Sequence, residues 1–224
     1  MGRYEEGYSQ MQEGMAIWLR LGDPHSIAIG LNYLAPALVK LGCHTEAEMN
    51  LEKSLELCRQ SGNRWGMGTA YRYLGQVKME QGKLDEAKTL LQTSIETFGD
   101  YVIGWDIAKS SIYLAEAIRL AGDAAQAQRV YVEALGLAQQ AQSVPLRLEA
   151  LAGVAQLFLE MGNHERAFEI SSFVLGQPSG TFETHDRAAR VEHLARTCLD
   201  AGQVRAMSEK LRGQTLESIT DTLI

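Results

Sequence analysis

Six glycines, Gly2, Gly42, Gly82, Gly122, Gly162 and Gly202, stand 40 residues apart along the chain. Glycine supplies 21 of 224 residues. Five further hits at one period therefore have a chance probability on the order of 10⁻⁵, and the pattern is a repeat. An array built from one repeated unit has no single core and no natural internal boundary, so the sequence reads as one continuous domain, 1–224.

The clearest copy runs from Trp65 to Phe98. Met67, Ala70, Tyr71, Leu74 and Val77 form one apolar helical stripe, and Leu84, Ala87, Leu90, Leu91, Ile95 and Phe98 form another. The short Gln81-Gly82-Lys83 link makes the two helices antiparallel neighbours, and glycine suits it because a helix C-terminus commonly ends on a left-handed residue. Columns one period apart describe the stacking. Leu34, Leu74, Leu114, Val154 and Leu194 are followed at the next position by Ala35, Gly75, Ala115, Ala155 and Ala195, a large residue beside a small one that admits a neighbouring helix. Small residues return at Gly7, Ala47, Ala87, Ala127 and Ala167, and large ones at Met15, Leu55, Ile95, Leu135 and Leu175. The fold class expected is all-α.

The units fall at about 26–61, 66–98, 106–141, 146–176 and 186–220. Residues 4–21 precede them as the second helix of a truncated unit, and the expectation is a fragment of a longer protein, since the edge of a repeat array normally needs a polar cap. Turn chemistry marks the joints at Asp23-Pro24, Ser61-Gly62-Asn63, Asp100 to Gly104 and Ser143-Val144-Pro145. The widest joint is Gln177-Pro178-Ser179-Gly180, before a helix that starts near Thr184; the first helix of that unit is expected over about 186–201 and a polar capping helix, with Gly213 inside it, over 204–220.

Composition narrows the function. A net charge of −7 and a pI near 5.3 give no basic footprint for a phosphate backbone, which argues against direct nucleic-acid binding. No apolar run approaches the roughly 20 residues that a membrane span needs. Cys43, Cys58 and Cys198 are an odd count without C-x-x-C spacing, which suggests neither a disulfide framework nor a zinc site and fits a reduced, cytoplasmic chain. His185 and His193 are eight apart, beyond the i, i+4 spacing that lets two imidazoles share an ion. The pairs Glu5-Glu6 and Asp85-Glu86 sit in first turns of helices, where the helix dipole favours acids. No catalytic residues, cofactor or metal are expected.

Leu74-Gly75, Gly82, Ala87 and Ile95 resemble the Leu-Gly, turn-Gly and Ala positions of the tetratricopeptide repeat, and the resemblance covers about residues 3–220. The period of 40 exceeds that family's usual length, and Lys78 stands where Tyr is frequent. Longer repeats with a start like Ser61-Gly62-Asn63-Arg64-Trp65-Gly66 resemble the repeat regions of large bacterial signal-transducing regulators; Gly66-Met67-Gly68 lacks the Gly-Lys-Ser/Thr of a phosphate loop. The resemblance implies a right-handed α-solenoid of antiparallel helix pairs whose concave groove is lined by the first helices. Carried over column by column, the groove positions are Asn32, Arg72, Ile112, Ala152 and Glu192, then Pro36, Gln76, Glu116, Gln156 and Arg196, then Val39, Met79, Arg119, Leu159 and Leu199.

Unlike the packing columns, these positions change character from unit to unit. The function expected is therefore a non-catalytic scaffold that takes a protein or peptide segment in the groove. Arg72, Gln76, Glu116, Arg119, Gln156 and Arg196 would set polarity, and Met79, Ile112 and Leu159 would offer apolar contact. The alternative is a ligand-sensing or autoinhibitory region of a bacterial signal-transducing transcription regulator, engaging upstream domains of its own full-length chain.

Overall fold

Residues that start and stop helices divide the chain at almost regular intervals. The computed structural model describes residues 2–99 and 104–223. The described residues form twelve helices: α1 (Gly2–Leu21), α2 (Pro24–Lys40), α3 (His44–Ser61), α4 (Arg64–Glu80), α5 (Leu84–Phe98), α6 (Gly104–Leu120), α7 (Ala124–Gln140), α8 (Val144–Glu160), α9 (His164–Leu175), α10 (Phe182–Thr197), α11 (Ala201–Leu211) and α12 (Leu216–Asp221). No strand occurs among them, and the all-α expectation holds.

The turn glycines do what the periodicity implies. Gly42, Gly82, Gly122 and Gly162 take φ of 75°, 73°, 89° and 76°, the left-handed region that other residues enter at a cost. Each closes the preceding helix with a paired set of backbone bonds. At Gly82, for example, the Lys83 N–H donates to Lys78 O at 2.9 Å and the Gly82 N–H to Met79 O at 2.9 Å. A second set lies half a period away at Gly22, Gly62 and Gln142, with φ of 68°, 67° and 51°. Starts are equally explicit. Pro24 follows Asp23, whose carboxylate accepts from the N–H groups of His25 and Ser26; Asn63, Asp123 and Asn163 accept from Gly66, Gln126 and Arg166.

Two glycines of the column behave differently. Gly2 is the first residue of α1, and Gly202 lies in the first turn of α11 behind the Asp200 cap, so neither forms the expected turn. The last stretch departs further. Thr181 caps α10 by accepting from Thr184 N, so that helix covers Phe182–Thr197 instead of 186–201. Leu194 is 52% exposed, although its column mates Leu34, Leu74 and Val154 are buried. The expected 204–220 helix is two helices. Gly213 lies in the turn between α11 and α12, and Thr215 starts α12 with a reciprocal cap to Ser218. Of the expected joint at Asp100 to Gly104, residues 100–103 lie outside the described residues.

The chain gathers into two compact units, Met1–Ala117 and Ile118–Ile224. In the first, consecutive helices pack on one another from α1 to α5, and α2 also packs on α4. Leu31, Leu34, Leu38, Leu51, Leu55, Leu74 and Val77 form its core around Ala35, Ala47 and Ala70. Close approach depends on the small column: a methyl group on Gly75 would lie 2.6 Å from Leu91 Cγ. In the second unit, α7, α8, α9 and α10 pack in sequence, and α10 also contacts α8. There the fully buried Tyr131 lies so close to Gly153 that a Cβ would come within 2.6 Å of its hydroxyl oxygen.

The C-terminal helices are held unequally. In α12, Ile219 and Thr220 are buried, and Arg147 of α8 donates to Glu217 at 3.0 Å and to Thr220 Oγ1 at 3.2 Å. Arg166 of α9 donates to Thr222 Oγ1 at 2.8 Å. Helix α11 buries no residue. Polar bonds tie it to α9: Lys210 to Glu169 at 2.7 Å and Gln203 to Glu165 at 2.9 Å.

Candidate binding face

The first helices of the first unit, α2, α4 and α6, carry most of the positions expected to line a groove, and the structure divides those positions in two. Asn32, Arg72, Ile112 and Glu116 are buried. Gln76, Met79, Arg119, Gln156, Leu159 and Glu192 are half-buried, and Arg196 is exposed.

Asn32 and Arg72 occupy one column and do one job. The Asn32 amide donates to the Gly66 carbonyl at 3.0 Å, and Arg72 donates to the Asp106 carbonyl at 3.4 Å and to its carboxylate at 2.8 Å. In both cases a first helix is tied to the start of the next first helix, 34 residues on. Arg72 is 3% exposed, and its guanidinium carbon lies 5.4 Å, 5.6 Å and 5.8 Å from the ring centres of Tyr73, Phe98 and Trp105. Trp65 Nε1 adds a 3.0 Å bond to the other Asp106 oxygen. The Arg72 charge is therefore matched, and it orders the surrounding aromatic rings.

Elsewhere, predicted positions pair with each other or with close neighbours. Arg196 and Glu192 form an ion pair of 3.2 Å along α10. Gln156 donates to Glu160 at 2.9 Å, and Arg119 forms an ion pair with the same carboxylate. Lys78, in the position where Tyr is frequent, is 2.5 Å from Glu48 and 3.3 Å from Glu86, so its charge joins α4 to both flanking second helices. These bonds lower the Glu48 pKa and raise that of Lys78.

A different set of side chains on the first helices α2, α4 and α6 is open or partly open to solvent. Tyr33, Tyr73 and Tyr113 stand one period apart, each one residue after a predicted position, and Trp65 and Trp105 form a second column eight residues earlier. Tyr33 is 46% and Trp105 41% exposed; Trp65, Tyr73 and Tyr113 are half-buried. At 100° per residue these positions fall within about 80° of one helix face. Lys109 lies 5.0 Å from the centre of the Tyr113 ring and adds a cation beside it. The tyrosine column escaped the sequence reading although it was periodic, because the groove columns were carried over from a family pattern that begins one residue earlier.

Other chemistry is sparse. Among the described residues no three His, Cys, Asp or Glu side chains are grouped to hold a metal ion. Cys58 is buried, which pushes its thiol pKa up, while Cys43 and Cys198 are exposed. His185 donates from Nε2 to the Gln177 carbonyl at 2.8 Å and so closes the wide joint. In the second unit, Met161, Asn163, His164, Cys198, Leu199 and Gln203 border an open concavity of about 500 Å³. No helix of the described residues is long and apolar enough to cross a membrane.

A sequence model of the tetratricopeptide repeat matches residues 26–99. No protein with a curated description matches the chain. Among solved structures, BtubC (BKLC) from P. vanneervenii is similar with a TM-score of 0.66 at 15% identity, over 95% of this chain and 93% of that one. A thermophilic TPR protein from Thermus thermophilus is similar with a TM-score of 0.59 at 21% identity, over 85% and 91% of the two chains. At these identities the likeness concerns the fold.

Proposed function

We propose, from the premise that this chain is a tetratricopeptide-like repeat array, that it is a non-catalytic scaffold holding an extended segment of another protein against the exposed face of its first helices. The carrying observation is the ladder of Tyr33, Tyr73 and Tyr113 beside Trp65 and Trp105. Tyr and Trp supply large contact area with few rotatable bonds and a polar tip, which is why such residues dominate binding surfaces. The buried Arg72–Asp106 pair holds the Trp65, Tyr73 and Trp105 rings in place before any partner arrives, so less ordering cost falls on binding. Gln76 and Met79 lie on the same helix as Tyr73 and are half-buried, while Arg119, Gln156, Leu159, Glu192 and Arg196 extend the same columns along the sequence.

The test is site-specific photocrosslinking in cells. A photoreactive residue at Tyr33 or Trp105 should trap a partner, and the same residue at the exposed Glu52 or Glu56 of α3 should not. Equal trapping from both sides would reject the first-helix face.

A second reading, ligand sensing within a signal-transducing regulator, is supported by the concavity beside Cys198 and His164. A thermal-shift survey of small metabolites, with Cys198→Ser as control, separates the two: a ligand whose stabilisation disappears in Cys198→Ser favours sensing.

A further inference from the structure

We propose that α1 is a dimerisation element: two copies of this chain pair their α1 helices antiparallel across a two-fold axis, through the stripe Gly7, Met11, Gly14 and Trp18. Pairing of this kind is independent of what the first-helix face binds. It gives each particle two such faces, and with them the avidity of a bivalent scaffold.

In other second helices the same stripe is covered. Ala87, Leu91, Ser94 and Phe98 of α5 stand two periods after it and are all 0% exposed, and so are the four residues one period earlier in α3 and one period later in α7. The cover includes the first helix of the same unit. Ser54 donates to the Ala28 carbonyl of α2 at 2.9 Å, Ser94 donates to the Gly68 carbonyl of α4 at 2.7 Å, and a Cβ on Gly68 would lie 2.7 Å from the Phe98 ring. On α1 these positions are open. Met11 is 42% exposed, Gly7, Gly14 and Trp18 are half-buried, and a Cβ on either glycine would meet nothing within 4 Å. Ile17 and Leu21, beside the stripe, are exposed as well, so the open side of α1 is apolar.

The stripe fits a copy of itself. Its members are spaced 4, 3 and 4 residues apart, the seam spacing of paired helices, and Leu21 follows after a further 3. In size they run small, large, small, large. Turned end for end by a two-fold axis between Gln12 and Glu13, the stripe runs large, small, large, small, which sets Gly7 of one copy against Trp18 of the other and Met11 against Gly14. A parallel pair would set methionine on methionine and glycine on glycine, and would leave gaps. Large on small is also how this chain closes its own helix contacts, as Leu91 does on Gly75. Trp18 is the anchor, because it already rests on Gly30 of α2, where a Cβ would lie 2.5 Å from the ring, and loses little freedom on pairing. A 20-residue helix is about 30 Å long, and a single seam of that length is smaller than a standard interface, so a dissociation constant of about 1–100 μM is expected.

Sedimentation equilibrium of the full chain tests the proposal. With concentration raised from about 1 to about 200 μM, the mass should climb from 24.7 kDa towards twice that value. Met11→Glu, which puts a charge in the seam, and Gly14→Leu, which fills the space for the other copy's methionine, should each weaken the dimer by at least about ten-fold. Leu19→Glu is the control: Leu19 is exposed on α1 but lies about 110° round the helix from the stripe, and the dimer should be unchanged. Circular dichroism melts check that the variants stay folded. Crosslinking reads the direction of pairing. With Cys43 and Cys198 replaced by serine, a short bismaleimide should join Glu6→Cys chains to Leu21→Cys chains and neither kind to itself. A mass of 24.7 kDa at every concentration, a dimer indifferent to Met11→Glu, or one weakened equally by Leu19→Glu overturns the proposal. Crosslinking of each variant only to itself overturns the antiparallel pairing.

Discussion

The Arg72 guanidinium meets the Asp106 carboxylate at 2.8 Å with only 4% and 12% of the two side chains exposed, in the register where Asn32 meets the Gly66 carbonyl one repeat earlier. Removing one member of such a pair strands the other charge in a dry place. Arg72→Ala is expected to cost about 3–5 kcal/mol, whereas Arg72→Met combined with Asp106→Leu should cost much less. Urea denaturation of the single and double variants measures both. Equal losses would mean that the aromatic packing of Arg72 matters more than its charge.

The turns offer a pair of substitutions with opposite signs. Gly82 has φ of 73° and no atom within 4 Å of a would-be Cβ, so Gly82→Ala is penalised only by its backbone, at about 1 kcal/mol. Gln142 holds φ of 51° without being glycine. Gln142→Gly relieves that strain and should stabilise by up to about 1 kcal/mol, less the entropy glycine gains on unfolding. Melting temperatures of the two variants against the parent protein check the prediction.

Gly153 differs from Gly82, because the fully buried Tyr131 ring occupies the space a side chain would take. Gly153→Ala should destabilise by about 1–3 kcal/mol through overpacking. Adding Tyr131→Leu should recover part of that loss, a coupling that a double-mutant cycle reads directly. Additive losses would show that the two residues do not compete for the same volume.

Acid should loosen the contact between α9 and α11. Burial raises the pKa of the Glu169 carboxyl, but hydrogen bonds from Lys210 and Arg166 outweigh it and leave the value below the ordinary 4.5. The unfolded chain therefore takes up the proton first. The stabilisation is complete above pH 4.5 and is lost as pH falls through the lower folded value. Lys210→Met should cost at most about 1 kcal/mol at neutral pH, since the lysine is largely exposed, and should flatten the decline that sets in as the pH falls below 4.5. Thermal melts across that range provide the comparison.

Features fixed by a residue's own backbone were legible in the sequence. Gly42, Gly82, Gly122 and Gly162 announce left-handed turns wherever the helices pack, and Ala47, Ala87, Ala127 and Ala167 announce close approach. The Arg72–Asp106 tie was not legible, because its partners are 34 residues apart and the equivalent bond from Asn32 ends on a main-chain carbonyl, which no residue type reveals. The end of α10 escaped, whereas a start near Thr184 lies within about two residues of Phe182, the first residue after the Thr181 cap: a helix begun there stops at Thr197, about one turn before residue 201, and a periodic stripe shortened by one turn looks almost the same.

Helix α11 is fixed at both ends of its span, by α10 before it and by α12, clamped through Arg147 and Arg166, after it. A segment tethered in this way could detach from α9 without releasing α12. The strap between Cys198 and Thr215 stays at an effective concentration of the order of millimolar near its own docking surface. Any opening of it would thus be a first-order, concentration-independent event. A competitor for that surface must exceed the tether's own local concentration to keep the strap displaced.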